Sequence, residues 1–413
     1  MKPKILFKGF EDDVWISSQF EEIFELIKNN SLSRAELSSE GRIGNIHYGD
    51  VLVKYGECLD TSSDSITYIH NDEIGEDLYR RGALKSGDII FADAAEDNTV
   101  GKCSELICND EEQIVSGLHT IACRPKIEIT KRYLGYYLNS NAYHNQLLPH
   151  IQGTKVSSIS RKAIVTTSIV YPFAQRVQEL IATYFYRLDN LISTSTSRLA
   201  SLKQVKGASL QAMFPQKGET VPKIRFKGFE GEWEEILLGS LFSERVENDV
   251  TAEMLSVTMH DGIIKANENG RYDNSNSDRS NYKLVLKDDI AYNTMRMWQG
   301  ASGCSPYSRG IVSPAYTVIT PNVGVCSVFF AFYFKTNGVI NKFRLNSQGL
   351  TKDTWNLKYP AFSSISVLYP TNVLEQQRIA SYFTSLDKQI ALQMQRLEKL
   401  KQIKAACLDK MFV

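Results

Sequence analysis

Two stretches decide the fold: ELIATYFYRLDNLISTSTSRLASLKQVKGASLQAMF at Glu179–Phe214 and QRIASYFTSLDKQIALQMQRLEKLKQIKAACLDKMF at Gln377–Phe412. A shift of 198 residues superimposes them without a gap. In both, apolar residues recur at heptad-like steps, a pattern typical of a long helix whose apolar seam packs against a partner helix. The seam residues are Ile181, Phe185, Leu188, Ile192, Leu199 and Leu202 in the first copy and Ile379, Phe383, Leu386, Ile390, Leu397 and Leu400 in the second. Each seam has one polar position, at Ser195 and Gln393.

The residues around these stretches fit helix boundaries. A proline lies upstream of each, Pro172 and Pro370, and Pro215 follows the first. Asn372 is a candidate N-cap, with Glu375 in the first turn. A seam of this kind can pack against any apolar core, but the equal length of the two copies favours pairing of the two helices with each other.

A second repeat precedes each helix. The box PKILFKGFE at Pro3–Glu11 returns as PKIRFKGFE at Pro222–Glu230, and a tryptophan follows each, Trp15 and Trp233. The order of box, variable region and long helix therefore occurs twice, which indicates a tandem duplication of whole domains. We expect globular domains at 1–155 and 222–360, long helices at 172–215 and 371–413, and a short polar hinge at 216–221.

The variable regions mix both kinds of secondary structure, so we expect an α+β fold. Strand-like runs are Asp50–Tyr55, Asp88–Ala92, Ile121–Cys123, Lys283–Leu286, Asp289–Asn293 and Ala315–Thr320, and helical runs are Lys131–Leu148 and Val325–Phe343. The run LKSGDIIFADAAEDNTVGKC at 84–103 is similar to LKDDIAYNTMRMWQGASGC at 286–304. Two recognition modules for two targets would share one scaffold and carry different side chains, as these runs do.

Composition narrows the class of protein. Seven cysteines without a CxxC pair indicate free thiols in a reducing cytoplasm. The start MKPKILFKGF is unlike a signal peptide, and we expect no membrane span. Residues 1–150 hold 15 basic and 25 acidic residues, whereas residues 250–360 hold 12 and 8. Because a nucleic-acid binder usually shows a basic surface, the acidic first third argues against simple DNA binding there.

The doubled box, the doubled motifs IAxYFxxLD and RLxxLKQxK, and the runs DIAYNTMRMWQGASG and GIVSPAYTV together resemble the specificity subunits of type I restriction–modification enzymes. The resemblance covers the whole chain. It implies two mixed α/β target recognition domains joined by two long antiparallel coiled-coil helices in a pseudo-twofold repeat. It also implies a non-catalytic, cytoplasmic subunit in which each domain reads one half of a split asymmetric site on double-stranded DNA. The implied partners are two modification (methyltransferase) subunits and two restriction (ATP-dependent nuclease and translocase) subunits.

The sequence lacks the motifs of a catalyst. It contains no GxxxxGK[ST], GxGxxG, [ND]PP[YF] or HExxH run, and its histidines and cysteines show no metal-ligand spacing, so we expect neither a cofactor nor a metal. Two other interpretations stay open. One is a stand-alone DNA-modifying enzyme. The other is a coiled-coil adaptor that does not bind DNA, which the acidic first region favours.

Candidate DNA contacts in the second region follow from side-chain chemistry, since Arg, Gln and Asn pair with base edges in the major groove. They are Asn293, Thr294, Arg296, Trp298 and Gln299 in one loop, and Arg271, Asn274 and Arg279 in another. Alternatively, Trp298 belongs to a core, Arg296 is an ordinary surface charge, and the second loop is a solvated turn.

A Gln-Gly pair followed by Thr-Lys occurs in both halves, which predicts phosphate contacts at Thr154, Lys155, Thr351 and Lys352. Lys85 and Lys102 are the further basic candidates in the first region. Met213, Phe214, Met411 and Phe412 end the long helices with little chain beyond them. We expect these four to be exposed and to bind partner subunits.

Overall fold

The computed structural model describes residues 2–97, 99–153, 155–259, 262–269, 279–352 and 354–413. The chain forms two compact units. Unit 1 consists of Met1–Thr196 with Gln395–Val413, and unit 2 consists of Ser197–Met394. Each unit therefore contains part of both long helices.

The α-helices are α1 Phe20–Ile23, α2 Tyr48–Val53, α3 Asp72–Gly82, α4 Tyr133–Leu138, α5 Asn141–Leu147, α6 Arg161–Val165, α7 Gln175–Ala212, α8 Leu238–Leu241, α9 Ser327–Tyr333, α10 Asn337–Asn346, α11 Tyr359–Ser363 and α12 Val373–Lys410. Short 3-10 turns cover Arg34–Glu36, Leu148–His150, Ala266–Asn269 and Met297–Gln299.

The strands of unit 1 are β1 Trp15–Gln19, β2 Phe24–Ile27, β3 Leu37–Ser38, β4 Gly44–Ile46, β5 Cys58–Asp60, β6 Thr67–Ile69, β7 Ile89–Ala92, β8 Ala94–Ala95, β9 Cys103–Ile107, β10 Ile114–Ser116, β11 Thr120–Pro125, β12 Ser157–Ser158 and β13 Ser168–Pro172. Those of unit 2 are β14 Glu234–Leu237, β15 Phe242–Glu244, β16 Leu255–Thr258, β17 Gly262–Lys265, β18 Lys283–Leu286, β19 Ile290–Asn293, β20 Ser302–Cys304, β21 Arg309–Val312, β22 Tyr316–Pro321 and β23 Ser366–Tyr369.

The two units share a sheet topology. In unit 1 the main sheet has the order β2-β11-β7-β9-β5, and in unit 2 it has the order β15-β22-β19-β20. In both, the two central strands are antiparallel, and a separate ribbon precedes the long helix: β1 with β13, and β14 with β23. The common skeleton expected from the sequence is confirmed, because β7 and β9 occupy the places of β19 and β20.

Both predicted long helices are present, although each begins four residues earlier and ends two residues earlier than the repeated stretch. Asn372 caps the second helix as expected, since its side-chain oxygen accepts a hydrogen bond from the Leu374 N–H at 3.0 Å. The polar seam residues Ser195 and Gln393 are buried, whereas the seam residues next to them, Ile192, Leu199, Ile390 and Leu397, are half-buried.

The long helices run antiparallel within each unit. In unit 1 the Tyr184 hydroxyl lies 3.3 Å from the Cys407 Sγ, and Lys404 lies 2.6 Å from Asp189. In unit 2, Ser209 lies 2.9 Å from Tyr382, and Lys206 lies 2.5 Å from Asp387. These pairs occupy repeated positions, so the helix pairing is duplicated as well as the sequence.

Each box joins the end of a long helix in its own unit. The Ile5 N–H donates to the Lys410 carbonyl at 2.9 Å, and the Ile224 N–H donates to the Ala212 carbonyl at 2.9 Å. The PKIxFKGFE box therefore completes the C-terminal turn of a helix, where main-chain carbonyls lack partners within the helix.

The expectation that the helix tips are exposed is wrong. Met213, Phe214, Met411 and Phe412 are at most 5% exposed. Phe412 packs against Phe185, Tyr133 and Tyr137, with ring centroids 5.7–5.9 Å apart. Phe214 packs in the same way against Tyr333 and Phe383. Aromatic side chains from distant parts of the chain cover the tips, so these four residues are core residues.

Two local predictions are also corrected. Asp50–Tyr55 is not a strand, because Tyr48–Val53 forms a helix that begins at His47, whose imidazole accepts from the Gly49 N–H. The single helices expected at Lys131–Leu148 and Val325–Phe343 are each two short helices, because the chain breaks at Asn139–Ser140 and at Phe334–Thr336.

Candidate nucleic-acid interface

In unit 2 the candidate site is the loop that follows β19, residues 294–301, here called the strand-end loop of unit 2. Asn293 shapes its start, because its amide oxygen accepts from the Met295 N–H at 3.0 Å. Thr294 donates its hydroxyl to the Ala315 carbonyl at 3.0 Å. Trp298 donates its indole N–H to the Met295 carbonyl at 3.0 Å. These three predicted contact residues therefore hold the loop in one conformation.

Two side chains of this loop are left for a ligand. Arg296 is exposed and Gln299 is half-buried, and neither side chain makes a hydrogen bond or ion pair with the residues that the structure describes. Gly300 ends the turn at φ +84°, a left-handed conformation that favours glycine. A planar guanidinium and an amide held on a rigid loop are suited to pair with base edges.

A second loop lies beside the first. Residues 348–356, the bridged loop of unit 2, are closed by two main-chain hydrogen bonds between Gln348 and Asn356, at 2.9 and 2.8 Å. Trp355 meets Trp298 edge to face, with ring centroids 5.3 Å apart. The structure therefore brings Thr351 and Lys352, both exposed, to the same surface as Arg296.

Unit 1 carries an equivalent surface. Its bridged loop, residues 152–158, is closed by the same pair of bonds, between Gln152 and Ser158 at 3.0 and 2.7 Å. Its strand-end loop is residues 93–102, after β7. The Asp93 N–H donates to the His119 carbonyl in unit 1, as the Thr294 N–H donates to the Ala315 carbonyl in unit 2.

The connection between the two loops is repeated too. The Ile159 N–H donates to the Asp93 carbonyl at 2.8 Å, and the Leu357 N–H donates to the Thr294 carbonyl at 2.9 Å. Position by position, Asp93 is the counterpart of Thr294 and His119 is the counterpart of Ala315. The hydrogen-bond topology therefore matches the candidate surface of unit 1 to that of unit 2, where the sequence showed only the repeated Gln-Gly and Thr-Lys pairs and the similarity of 84–103 to 286–304.

His119 is a candidate residue that sequence reasoning missed. It adopts φ +53°, a conformation that costs energy in a residue other than glycine and that is found at functional sites. Its half-exposed ring lies 3.1 Å from an Asp93 carboxylate oxygen and meets the Tyr48 ring edge to face at 5.3 Å. The side chain is thus held at the surface by two neighbours.

The basic candidates of unit 1 are separated. Lys155 is exposed on the bridged loop. Lys102 lies at the end of the strand-end loop, but its ammonium donates to the carbonyls of Leu52 and Tyr55 at 2.9 and 3.0 Å. Burial lowers the pKa of the Lys102 ammonium, and its hydrogen bonds give it a structural role. Lys85 precedes β7 and so lies at the opposite end of that strand from Asp93.

Three of the remaining predicted contacts, Thr154, Arg271 and Asn274, lie outside the described residues. Arg279 precedes β18, and its carbonyl accepts from the Tyr282 N–H at 3.0 Å.

Within the described ranges, no group of three or more His, Cys, Asp and Glu side chains is arranged to hold a metal ion. Of the helices in the described part of the chain, none has the length and hydropathy needed to cross a membrane.

Solved structures of other proteins share the overall fold of this chain. No family model matches the sequence, and no curated protein matches it. The solved S subunit of a type I restriction–modification system from M. genitalium is similar in structure, with a TM-score of 0.59 and 13% sequence identity over 100% of this chain and 99% of that one. A chain from a structure concerned with assembly and conformational transition of a type I R-M system has a TM-score of 0.50 and 14% identity, over 99% of both chains. The HsdS subunit from Thermoanaerobacter tengcongensis has a TM-score of 0.47 and 13% identity, over 98% of this chain and 97% of that one.

The full-length match to the M. genitalium subunit shows that this chain has the fold of a type I S subunit. The fold class expected from the sequence, two mixed α/β units and two long antiparallel helices, is confirmed.

Proposed function

We propose that the chain is the DNA specificity subunit of a type I restriction–modification complex. In this proposal each unit reads one half of a split asymmetric site, and the subunit carries two modification and two restriction subunits. The chain itself catalyses no reaction and acts in the cytoplasm.

The observation that carries the proposal is the repetition of one surface with different side chains. The strand-end and bridged loops recur in both units with the same main-chain hydrogen bonds. At matched places, however, unit 2 presents Thr294 and Ala315 where unit 1 presents Asp93 and His119. A scaffold that is kept while the residues on it change, among them the exposed pair His119 and Ala315, suits two modules that read two different sequences.

The S-subunit fold supports the same proposal, because it extends over both units and both long helices. The recognition domain proposed at 222–360 contains the surface of unit 2, and the one proposed at 1–155 contains the surface of unit 1 except residues 156–158. The long helices, which each contribute to both units, are the segments we propose as the scaffold for the other subunits.

The decisive experiment is to express the chain with its modification subunits in a methylation-free host and to map methylated adenines by sequencing. We expect one bipartite motif with two different halves. Exchanging residues 15–155 for the same region of a homologous chain should change one half only. A change in both halves would contradict the modular proposal.

Methyl transfer by the purified chain alone, with labelled S-adenosylmethionine, separates the proposal from a stand-alone enzyme. We expect no transfer without the modification subunits. If the complex assembles but shows no preference for any DNA sequence, the chain is an adaptor and the proposal fails.

A further inference from the structure

The two candidate surfaces differ in charge. In unit 2 the strand-end loop, α10, the bridged loop and the residues that flank them carry six basic side chains: Arg296, Lys335, Lys342, Arg344, Lys352 and Lys358. The one acidic residue in the same segments is Asp353, which lies outside the described residues. The matching segments of unit 1, 93–102 and 139–160, carry two basic residues, Lys102 and Lys155, and three acidic ones, Asp93, Glu96 and Asp97.

Three of the six basic side chains of unit 2 are fully available to a partner. Arg296, Lys352 and Lys358 are exposed, and their side chains make no hydrogen bond or ion pair with any residue of the described ranges. Lys342 and Arg344 contact only neutral oxygens, the Ser366 carbonyl and the Asn341 amide. Their positive charge is therefore not neutralised by a carboxylate.

The second cation of the unit 1 loops is used inside the fold. The Lys102 ammonium donates to the carbonyls of Leu52 and Tyr55 at 2.9 and 3.0 Å. Lys155 is therefore the exposed cation of the two loops of unit 1.

The carboxylates of unit 1 also face solvent. Glu96 and Asp97 are exposed in the strand-end loop. Asp97 accepts hydrogen bonds from the Thr99 N–H and hydroxyl, which lower the pKa of this carboxyl and keep it ionised. A DNA phosphate near this loop would meet negative charge.

We infer that unit 2 supplies most of the phosphate attachment to DNA, and that unit 1 discriminates its half-site with little phosphate neutralisation. This inference rests on the proposed function. Phosphate contacts release condensed counterions, so each contact adds about 0.9 to the slope of log affinity against log salt concentration. The two half-sites should therefore respond differently to salt.

The test uses the complex with modification subunits and a duplex that carries the mapped motif. Binding is measured between about 50 and 200 mM salt for the wild type and for two triple variants. Arg296→Gln with Lys352→Gln and Lys358→Gln removes three charges from unit 2. Lys155→Gln with Arg161→Gln and Lys162→Gln removes three exposed charges in or next to the bridged loop of unit 1 as the matched control.

We expect the unit 2 variant to lose about 2.7 from the magnitude of the salt slope, so that over this fourfold range the wild type weakens roughly 40-fold more than the variant. The unit 1 variant should lose less than about 1 from the slope. Equal losses, or a larger loss from unit 1, would overturn the inference.

A second measurement uses the wild-type complex and so does not depend on the folding of variants. Duplexes that carry only one half-site are compared, with each half assigned to its unit by the exchange of residues 15–155. The unit 2 half-site should bind more tightly and with the steeper salt slope, and equal slopes would contradict the inference. If the complex bound the full motif no better than a scrambled duplex, the proposed function would fail instead.

Discussion

Arg225 and Glu375 form a buried two-pronged ion pair in unit 2, with both N–O distances at 2.7 Å. The Glu375 side chain is 1% exposed. By the box repeat and the helix repeat, these positions correspond to Leu6 and Val177 in unit 1. The two positions that form this ion pair in unit 2 therefore carry apolar residues in unit 1.

This relationship predicts a compensated double variant. Arg225→Leu alone leaves a buried carboxylate without its partner and should cost about 3–5 kcal/mol of folding free energy. Adding Glu375→Val removes the unpaired carboxylate and gives both positions the residue types found in unit 1, which should recover most of that loss. Denaturant unfolding of the wild type, both single variants and the double variant measures the coupling. A double variant as unstable as Arg225→Leu would show that the ion pair is not the cause.

Truncating the buried phenylalanine at each helix tip should destabilise only the unit that contains it. Phe412→Ala removes a ring packed against Phe185, Tyr133 and Tyr137 and should cost about 3–5 kcal/mol. Phe214→Ala is the matched change in unit 2. Hydrogen exchange should show faster opening of unit 1 in the first variant and of unit 2 in the second. Native protection in both variants, with loss of partner binding only, would restore a surface role for these residues.

Glu105 predicts a pH dependence of stability. Complete burial raises the pKa of its carboxyl to about 7 from an ordinary 4.5, although the N–H groups of Arg132 and Gly135 donate to it. Between these two pKa values the folded chain binds more protons than the unfolded one, so stability falls as pH rises through this window. The loss amounts to on the order of 3 kcal/mol.

The measurement is the free energy of unfolding at pH 5 and pH 8 for the wild type and Glu105→Gln. Since the variant lacks the titrating group, its stability should change less between the two pH values. Asp88 and Asp189, whose carboxyl pKa values burial also raises, remain in both proteins and cancel in the comparison. An equal pH dependence in the two proteins would exclude Glu105 as the source.

Arg296 predicts a change in specificity. Arg296→Gln should weaken discrimination at one position of the half-site read by unit 2 by about 1–3 kcal/mol and leave the other half unchanged. Lys352→Gln should instead weaken binding to all sequences alike, because a phosphate contact carries no base information. Methylation sequencing of the variant complexes distinguishes these patterns. A motif unaltered by Arg296→Gln would remove this residue from base reading.

For unit 1, we expect His119 to affect recognition of the other half-site. His119→Ala should alter only the half-site that unit 1 reads, because the ring lies at the place that Ala315 occupies in unit 2. His119→Gly is the control for backbone strain, since glycine adopts positive φ without cost. If the glycine variant kept the wild-type motif, the imidazole would have no part in recognition.

The duplication, the two long helices and the common skeleton of the variable regions could be predicted from the sequence alone. These features rest on local patterns. Residues three and four apart share a helix face whatever lies opposite, and an N-cap such as Asn372 acts on the N–H groups of its own first turn. Arg296 lies in a loop after a strand, as expected, for the same reason, because strand, turn and glycine adjoin in sequence.

Which side chains are exposed and unpaired could be decided only from the tertiary structure. Phe412 lies just beyond the end of a helix, and it is covered by aromatic residues 227 to 279 positions away in the sequence, Phe185, Tyr137 and Tyr133. From the sequence, Lys102 is a candidate phosphate contact. In the structure its ammonium donates to the carbonyls of Leu52 and Tyr55 instead. The surface of unit 1 emerged from hydrogen bonds that join Asp93 to His119 and to Ile159. The physical reason is that exposure and pairing are set by contacts between distant segments, which periodicity and spacing along the chain do not encode.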